Sequence, residues 1–135
     1  MIVDTSGLLA FFNRKEPLHH NVVAAVEQAE DLIVSPYVIA EVDYLVATRL
    51  GVDAEIDVVT ELSSGAWLLA DFGERDLRAA VVVIQRYRDQ DVGLADASLV
   101  VLAHRYRTRT ILTLDHRHFT VLRPVGGGRF TLLPS

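Results

Sequence analysis

Short apolar runs rich in β-branched residues alternate along the chain with longer stretches in which apolar residues recur every three to four positions. Continuous apolar runs suit strands buried on both faces of a sheet, and the longer period suits helices packed against it. The pattern predicts strands at Ile2-Val3, Leu32 to Ser35, Ala66 to Ala70, Thr110 to Leu114 and Phe130 to Leu133. It predicts helices over Ser6 to Asn13, Leu18 to Glu30, Tyr37 to Leu50, Ala54 to Ser63, Glu74 to Arg88 and Leu94 to Arg107. Such alternation implies an α/β fold with a mainly parallel central sheet. Pro36 falls at the mouth of the third helix, where a missing N–H is tolerated, and Gly51 follows that helix as a C-cap. The triple glycine 126 to 128 is followed by the strand-like RFTLL and not by a helix, so it reads as a turn and not as a phosphate cradle.

With 135 residues, half of them hydrophobic, the chain fits one domain over residues 1–135 with a proper core. The absence of cysteine excludes disulfides, a thiolate zinc site and a thiol nucleophile. The opening MIVDTSGLLAFF lacks a basic leader segment, and Asp4 interrupts its apolar run, so it reads as part of the fold. No apolar stretch is long and uncharged enough to span a bilayer, and a cytoplasmic protein is expected.

The net charge of -5 argues against a nucleic-acid partner until its distribution is considered. Residues 101 to 135 hold six arginines (Arg105, Arg107, Arg109, Arg117, Arg123, Arg129) against the single acid Asp115, whereas residues 1 to 100 hold seven Lys or Arg against 17 acids. A basic segment beside an acidic cluster suits a metal-dependent nuclease, with arginines for phosphates and carboxylates for the metal. Solvated arginines at helix ends and turns are the plainer alternative.

In an open parallel sheet, ligands bind beyond the carboxyl ends of the strands. Asp4 and Asp115 stand there, each directly after an apolar strand, although either also suits a helix cap. Glu41 lies in the helix with Tyr37, Val38, Tyr44 and Leu45 as its neighbours, a setting in which a carboxylate is costly unless paired or bound to metal. Asp43 has equally apolar neighbours, so periodicity does not separate the two. Asp96 begins a strongly apolar helix, where the helix dipole also favours an acid, and capping is the more natural role for Asp91 just upstream. If Asp4, Glu41, Asp96 and Asp115 converge, their repulsion favours a hard divalent cation, and an all-oxygen donor set selects Mg²⁺ or Mn²⁺ over zinc. Phosphodiester hydrolysis is the chemistry such a site supports.

Taken in order, MIVDTSGLLAFF, SPYVIAEVDYLV, DVGLADASLVVLA and TILTLDHRHF resemble the PIN-domain ribonucleases over essentially the whole chain, and specifically the VapC toxins of toxin-antitoxin pairs. The resemblance implies a PIN-like, Rossmann-like three-layer fold and a site of Asp4, Glu41, Asp96 and Asp115, choosing Glu41 over Asp43 and leaving Asp91 out. Thr113 matches a hydroxyl position that helps order the site. The resemblance also implies Mg²⁺ or Mn²⁺ dependence, cleavage of structured RNA such as tRNA or rRNA, a homodimer, and a VapB-type antitoxin that neutralises the enzyme.

Arg117 is the basic residue nearest the expected metal, and Arg105, Arg107 and Arg109 bracket the turn before that strand, so all four are candidates for RNA phosphates. His116 and His118 flank the last acid, where each suits proton transfer, a phosphate contact or simple exposure. His19 and His20 read as surface or capping residues, and Trp67 as core or interface more than as a base-stacking platform. A receiver-like Mg²⁺-binding signalling domain would want a late lysine, but the only lysine is Lys15. A catalytically silent RNA- or antitoxin-binding module keeps the fold but leaves all four carboxylates unexplained.

Overall fold

Five short strands, all parallel, form one sheet in a computed structural model that describes residues 1–135. In chain order the elements are β1 (Ile2–Val3), α1 (Thr5–Phe12), α2 (His19–Gln28), β2 (Ile33–Val34), α3 (Pro36–Leu50), α4 (Val52–Leu62), β3 (Leu68–Leu69) and α5 (Glu74–Arg86). A 3₁₀ turn (Arg88–Gln90), α6 (Leu94–Arg105), β4 (Thr110–Leu112), α7 (His116–Val121) and β5 (Thr131–Leu133) complete it. The sheet order β3-β2-β1-β4-β5 reverses direction at β1, which places a crevice between the carboxyl ends of β1 and β4.

The inner strands are apolar because both faces are covered: Ile2, Val3, Ile33, Val34, Ile111 and Leu112 are all buried. Helix α6 packs against α5, α3 and β1, and its run Ala97–Ala103 is buried without a break. That burial on all sides is why its sequence shows so little amphipathic period. Ser35 caps α3 by accepting the Tyr37 amide. Pro36 occupies the first turn and Gly51 ends the helix at φ 94°, both as the sequence predicts.

The structure corrects the sequence reading at three places. Helix α7 is unforeseen, because HRHFTV has six residues and buries only Phe119, too little for a legible period. Helix α5 stops at Arg86 and gives way to the 3₁₀ turn, whose last position is followed by Asp91 in the left-handed region at φ 54°. Asp91 therefore does not cap α6, and Gly93 holds that position. Short polar side chains tolerate left-handed backbone better than most, which accounts for an aspartate there. Trp67 is core, as expected: it is buried edge-on against Phe11, and its indole N–H donates to Glu61 Oε2 at 2.8 Å.

Gly7 sets how closely α1 lies on the sheet, since a Cβ there would stand 2.5 Å from the Leu112 carbonyl oxygen. Backbone cannot yield as a flexible side chain can. Gly7→Ala is expected to destabilise the protein by about 1–3 kcal/mol, the usual cost of overpacking, as read from urea unfolding. An unfolding midpoint equal to wild type would show that α1 can shift without loss.

Candidate functional site

Asp4 continues the ladder of β1, its N–H donating to the Leu112 carbonyl at 3.0 Å, and occupies the N-cap position of α1. Its carboxylate makes no capping bond and turns instead to two hydroxyls. Thr113 Oγ1 donates to Asp4 Oδ2 at 2.8 Å while accepting the Asp115 amide at 3.0 Å. Ser6 Oγ donates to the same oxygen at 3.1 Å while accepting the Leu114 amide at 2.9 Å. The Ser6 and Thr113 hydroxyls also meet at 3.1 Å, so the two form one cluster around Asp4 Oδ2 that ties β1 to the segment after β4. Burial pushes the Asp4 carboxyl above its ordinary 3.8; bonds from Thr113, the Thr5 amide and Ser6 pull it back, and the charge of Asp115 adds to the rise.

Asp96 lies in the first turn of α6, with about a quarter of its side chain exposed. Burial raises its pKa most, His118 opposes the rise, and the charges of Asp4 and Glu41 reinforce it. Glu41 is an exposed residue on α3, contrary to the buried, apolar setting its helical neighbours suggest. A helix that reads as apolar nearly all round still turns one side to the site crevice, and periodicity alone does not show which. Asp43, half-buried, lies beside Glu55 of α4 and raises the pKa of that carboxyl. Tertiary structure thereby separates two acids that the sequence pattern leaves equivalent: Glu41 acts on Asp96, Asp43 on Glu55.

A buried hydroxyl pair links the supports of these acids. Tyr37 N–H donates to Ser35 Oγ at 3.2 Å, Ser35 and Ser98 hydroxyls meet at 2.7 Å, and Ser98 Oγ donates to the Ala95 carbonyl at 2.5 Å. With the last proton committed, Ser35 must be the donor to Ser98, so every polar atom of the chain of bonds is satisfied. The link holds the start of α3 against the first turn of α6. Ser6, Ser35 and Ser98 escape the sequence reading; the only local sign is that Ser6 and Ser98 each stand two residues after a candidate aspartate.

Asp115 combines both roles the sequence allows it. It caps α7, Oδ1 accepting the His118 amide at 3.3 Å, and stands at the carboxyl end of β4 with about half of its side chain exposed. His118 sits between acids, Nε2 at 2.8 Å from Asp96 Oδ2 and Nδ1 at 3.8 Å from Asp115 Oδ2. The Nε2 contact is close but off the line of a hydrogen bond. His116 is exposed. Asp115, Arg117 and His118 line an open cleft of about 470 Å³ that runs to Gln90 and Val92.

The four arginines divide. Arg117 borders that cleft, whereas Arg105, Arg107 and Arg109 lie at the opposite edge of the sheet, because β4 runs from Arg109 toward Asp115. Arg105 is engaged internally, bonding the Asp71 carbonyl, Asp71 Oδ1 and Asp76 Oδ2 at 2.9, 2.6 and 3.1 Å. Arg105, Arg107 and Arg109 bracket the turn before β4, where the sequence places them.

Glu41, Asp96, Asp4 and Asp115 form a chain in which each acid lies within electrostatic reach of another. Their oxygen-only donors, and the raised pKa values of Asp4 and Asp96, fit a hard divalent cation, which relieves this kind of repulsion. No three of the acidic or histidine side chains converge closely enough to grip a metal as they stand.

The profile of the "PIN domain" family matches residues 1–123. The chain is 58% identical to Ribonuclease VapC26 of Mycobacterium tuberculosis over 135 residues, spanning 99% of this chain and 100% of that protein. Among solved structures, M. tuberculosis VapC20, described as a sarcin-ricin loop cleaving toxin, superposes with a TM-score of 0.77 at 17% identity, over 87% of this chain and 91% of that one. FitAcB from Neisseria gonorrhoeae superposes with a TM-score of 0.64 at 18% identity, over 88% and 90%. FitAB bound to an IR36 DNA fragment gives 0.61 at 21%, over 89% of each chain.

The raised pKa of Asp4 has a definite sign for stability. A folded-state pKa above the unfolded one means that the native state binds the proton more tightly, so stability falls as pH rises from 3.8 through the folded value and stays lower above it. Asn keeps an acceptor for the two hydroxyls without the charge. Asp4→Asn is expected to raise the melting temperature of the metal-free protein at pH 7 by roughly 2–4 °C, the shift about 1 kcal/mol produces at this size. The gain should vanish below pH 3.8. A variant that melts below wild type at pH 7 would mean that the charge is compensated in the fold.

Proposed function

This chain belongs to the PIN-domain family, among the VapC ribonucleases, and on that premise we propose that it is an endoribonuclease toxin cutting structured RNA, such as tRNA or rRNA, with Mg²⁺ or Mn²⁺. The observation that supports the reading is that Asp4 and Asp115 follow the adjacent strands β1 and β4 at the sheet's switch point, with Asp96 influenced by the charges of Asp4 and Glu41. The likeness to VapC20, a toxin described as cleaving the sarcin-ricin loop, supports a structured RNA target.

In this reading the four carboxylates hold the cation. When bound, it supplies Lewis acidity toward a phosphodiester and makes water easier to ionise. Ser6 and Thr113 keep Asp4 in one orientation, and the first turn of α6 favours the charge of Asp96. His118, between Asp96 and Asp115, is placed to hold or pass a proton at the cleft wall. Arg117 is placed to receive a backbone phosphate.

Protein partners belong to the same proposal: a VapB-type antitoxin that blocks the acidic site, and a second copy of the chain. Exposed apolar side chains on α3 and α4, Tyr44, Leu50, Val52 and Ile56, offer surface for such contacts. No helix is long and apolar enough to cross a membrane, and we place the protein in the cytoplasm with its substrate class.

Purified protein is expected to cleave RNA with Mg²⁺ or Mn²⁺ and not in EDTA, while Asp4→Asn and Asp96→Asn each lower the rate by about 100-fold or more with the fold intact by circular dichroism. Full activity in excess EDTA, or unchanged cleavage by both variants, would overturn the mechanism. Expression in cells is expected to arrest growth, with rescue on co-expression of the adjacent antitoxin gene. Absence of arrest, or arrest without rescue, counts against the toxin reading.

A further inference from the structure

The edge of the sheet away from the carboxylates carries a second cleft, of about 610 Å³, between the end of α6, the turn into β4 and the segment around Pro124 and Val125. His104, Arg105, Arg107 and Arg109 line it, and no acidic residue does. Arg105 is bound to Asp71 and Asp76, but Arg107 and Arg109 are exposed and have no carboxylate within ion-pairing distance. In a chain of net charge -5, such a place is not a by-product of a basic composition.

Both arginines are held by unusual backbone. Arg107 closes α6 in the left-handed region at φ 55°, its N–H bonded to the His104 carbonyl and the Thr108 N–H to the Ala103 carbonyl. That position ordinarily takes glycine, so a long cationic side chain is kept there against backbone preference. Arg109 lies against the turn 126 to 128, where a Cβ on Gly128, itself at φ 88°, would fall on its Nη1. Attraction to the carbonyls ending α6 accounts for His104 and Arg105, but Arg109 stands beyond the helix.

We propose that this cleft anchors RNA backbone phosphates through Arg107 and Arg109. The inference rests on the ribonuclease reading and extends it. Planar guanidiniums match phosphate oxygens, and the residues that line the cleft include three arginines and a histidine but no acid to compete with a phosphate. Arg109 and Asp115 are six positions apart, before and after β4, a span of up to about 20 Å. An RNA that reaches both edges is therefore a folded or extended one, several nucleotides long, and not a dinucleotide at the cut.

Binding is measured by fluorescence anisotropy in EDTA, where no cleavage intrudes, with a labelled RNA hairpin of about 16 base pairs. The Arg107→Ala/Arg109→Ala protein is expected to lower the slope of log affinity against log salt by about 1.8, two phosphate contacts' worth. Wild type then loses about tenfold more affinity than the variant between roughly 50 and 200 mM salt. Arg107→Lys/Arg109→Lys should keep most of the slope. Arg107→Gly should bind RNA more weakly while melting no lower than wild type, which separates binding from folding. Equal slopes and affinities within twofold for wild type and the alanine variant would overturn the proposal, as would unchanged RNA binding with loss of antitoxin binding. A protein that binds through this cleft but cuts no RNA with any cation would refute the nuclease reading and leave the anchor standing.

Discussion

Placing the Asp4 carboxylate inside the sheet edge removes a charge from water, and the hydroxyls of Ser6 and Thr113 compensate only part of that loss. Much of the surrounding geometry follows from supplying even this much. Thr113 must stand beside Asp4, which requires β4 to pair directly with β1. Ser6 must face the same oxygen, which requires α1 to lie hard against β4, and Gly7 has no side chain to prevent it. In the proposed function, the uncompensated remainder is what a bound cation would relieve. A protein tuned for stability alone would place a neutral group there; one that must hold a hard metal gains from the imbalance.

A second constraint is the direction of the strands. Because all are parallel, every carboxyl end meets at one edge and every amino end at the other. Helix α6 spans both: Asp96 lies in its first turn, His104 and Arg105 in its last. Each end carries the charge that the helix macrodipole prefers. The four candidate acids thus stand at one edge and the unpaired Arg107 and Arg109 at the other, although Glu30 and Asp31 also lie at that second edge.

Much of the fold is legible in the order of residues alone. The strands are readable because residues such as Ile33, Val34, Ile111 and Leu112 have no solvent side and so cannot be polar. The helix α3 is bounded by Ser35, Pro36 and Gly51, whose backbone preferences are local. Helix α7 is not readable, since most of its six residues face solvent or the cleft, and Asp91 misleads because a left-handed turn can sit where a cap is expected. Within the site, Asp4 and Asp115 are placed by their strand ends, while Glu41 and Asp96 needed the family resemblance.

By itself, the sequence determined most of the strands and helices, that no thiol chemistry is available, and that two aspartates each directly follow an apolar strand. Only the tertiary structure decided that Glu41 rather than Asp43 acts on Asp96, that Ser6, Ser35 and Ser98 brace the site, and that Arg107 and Arg109 stand far from the acids. The reason is physical. Burial and backbone preference act on a residue and its near neighbours, so they leave a periodic trace, whereas charges and hydrogen bonds act through distances in space that the chain's order does not record.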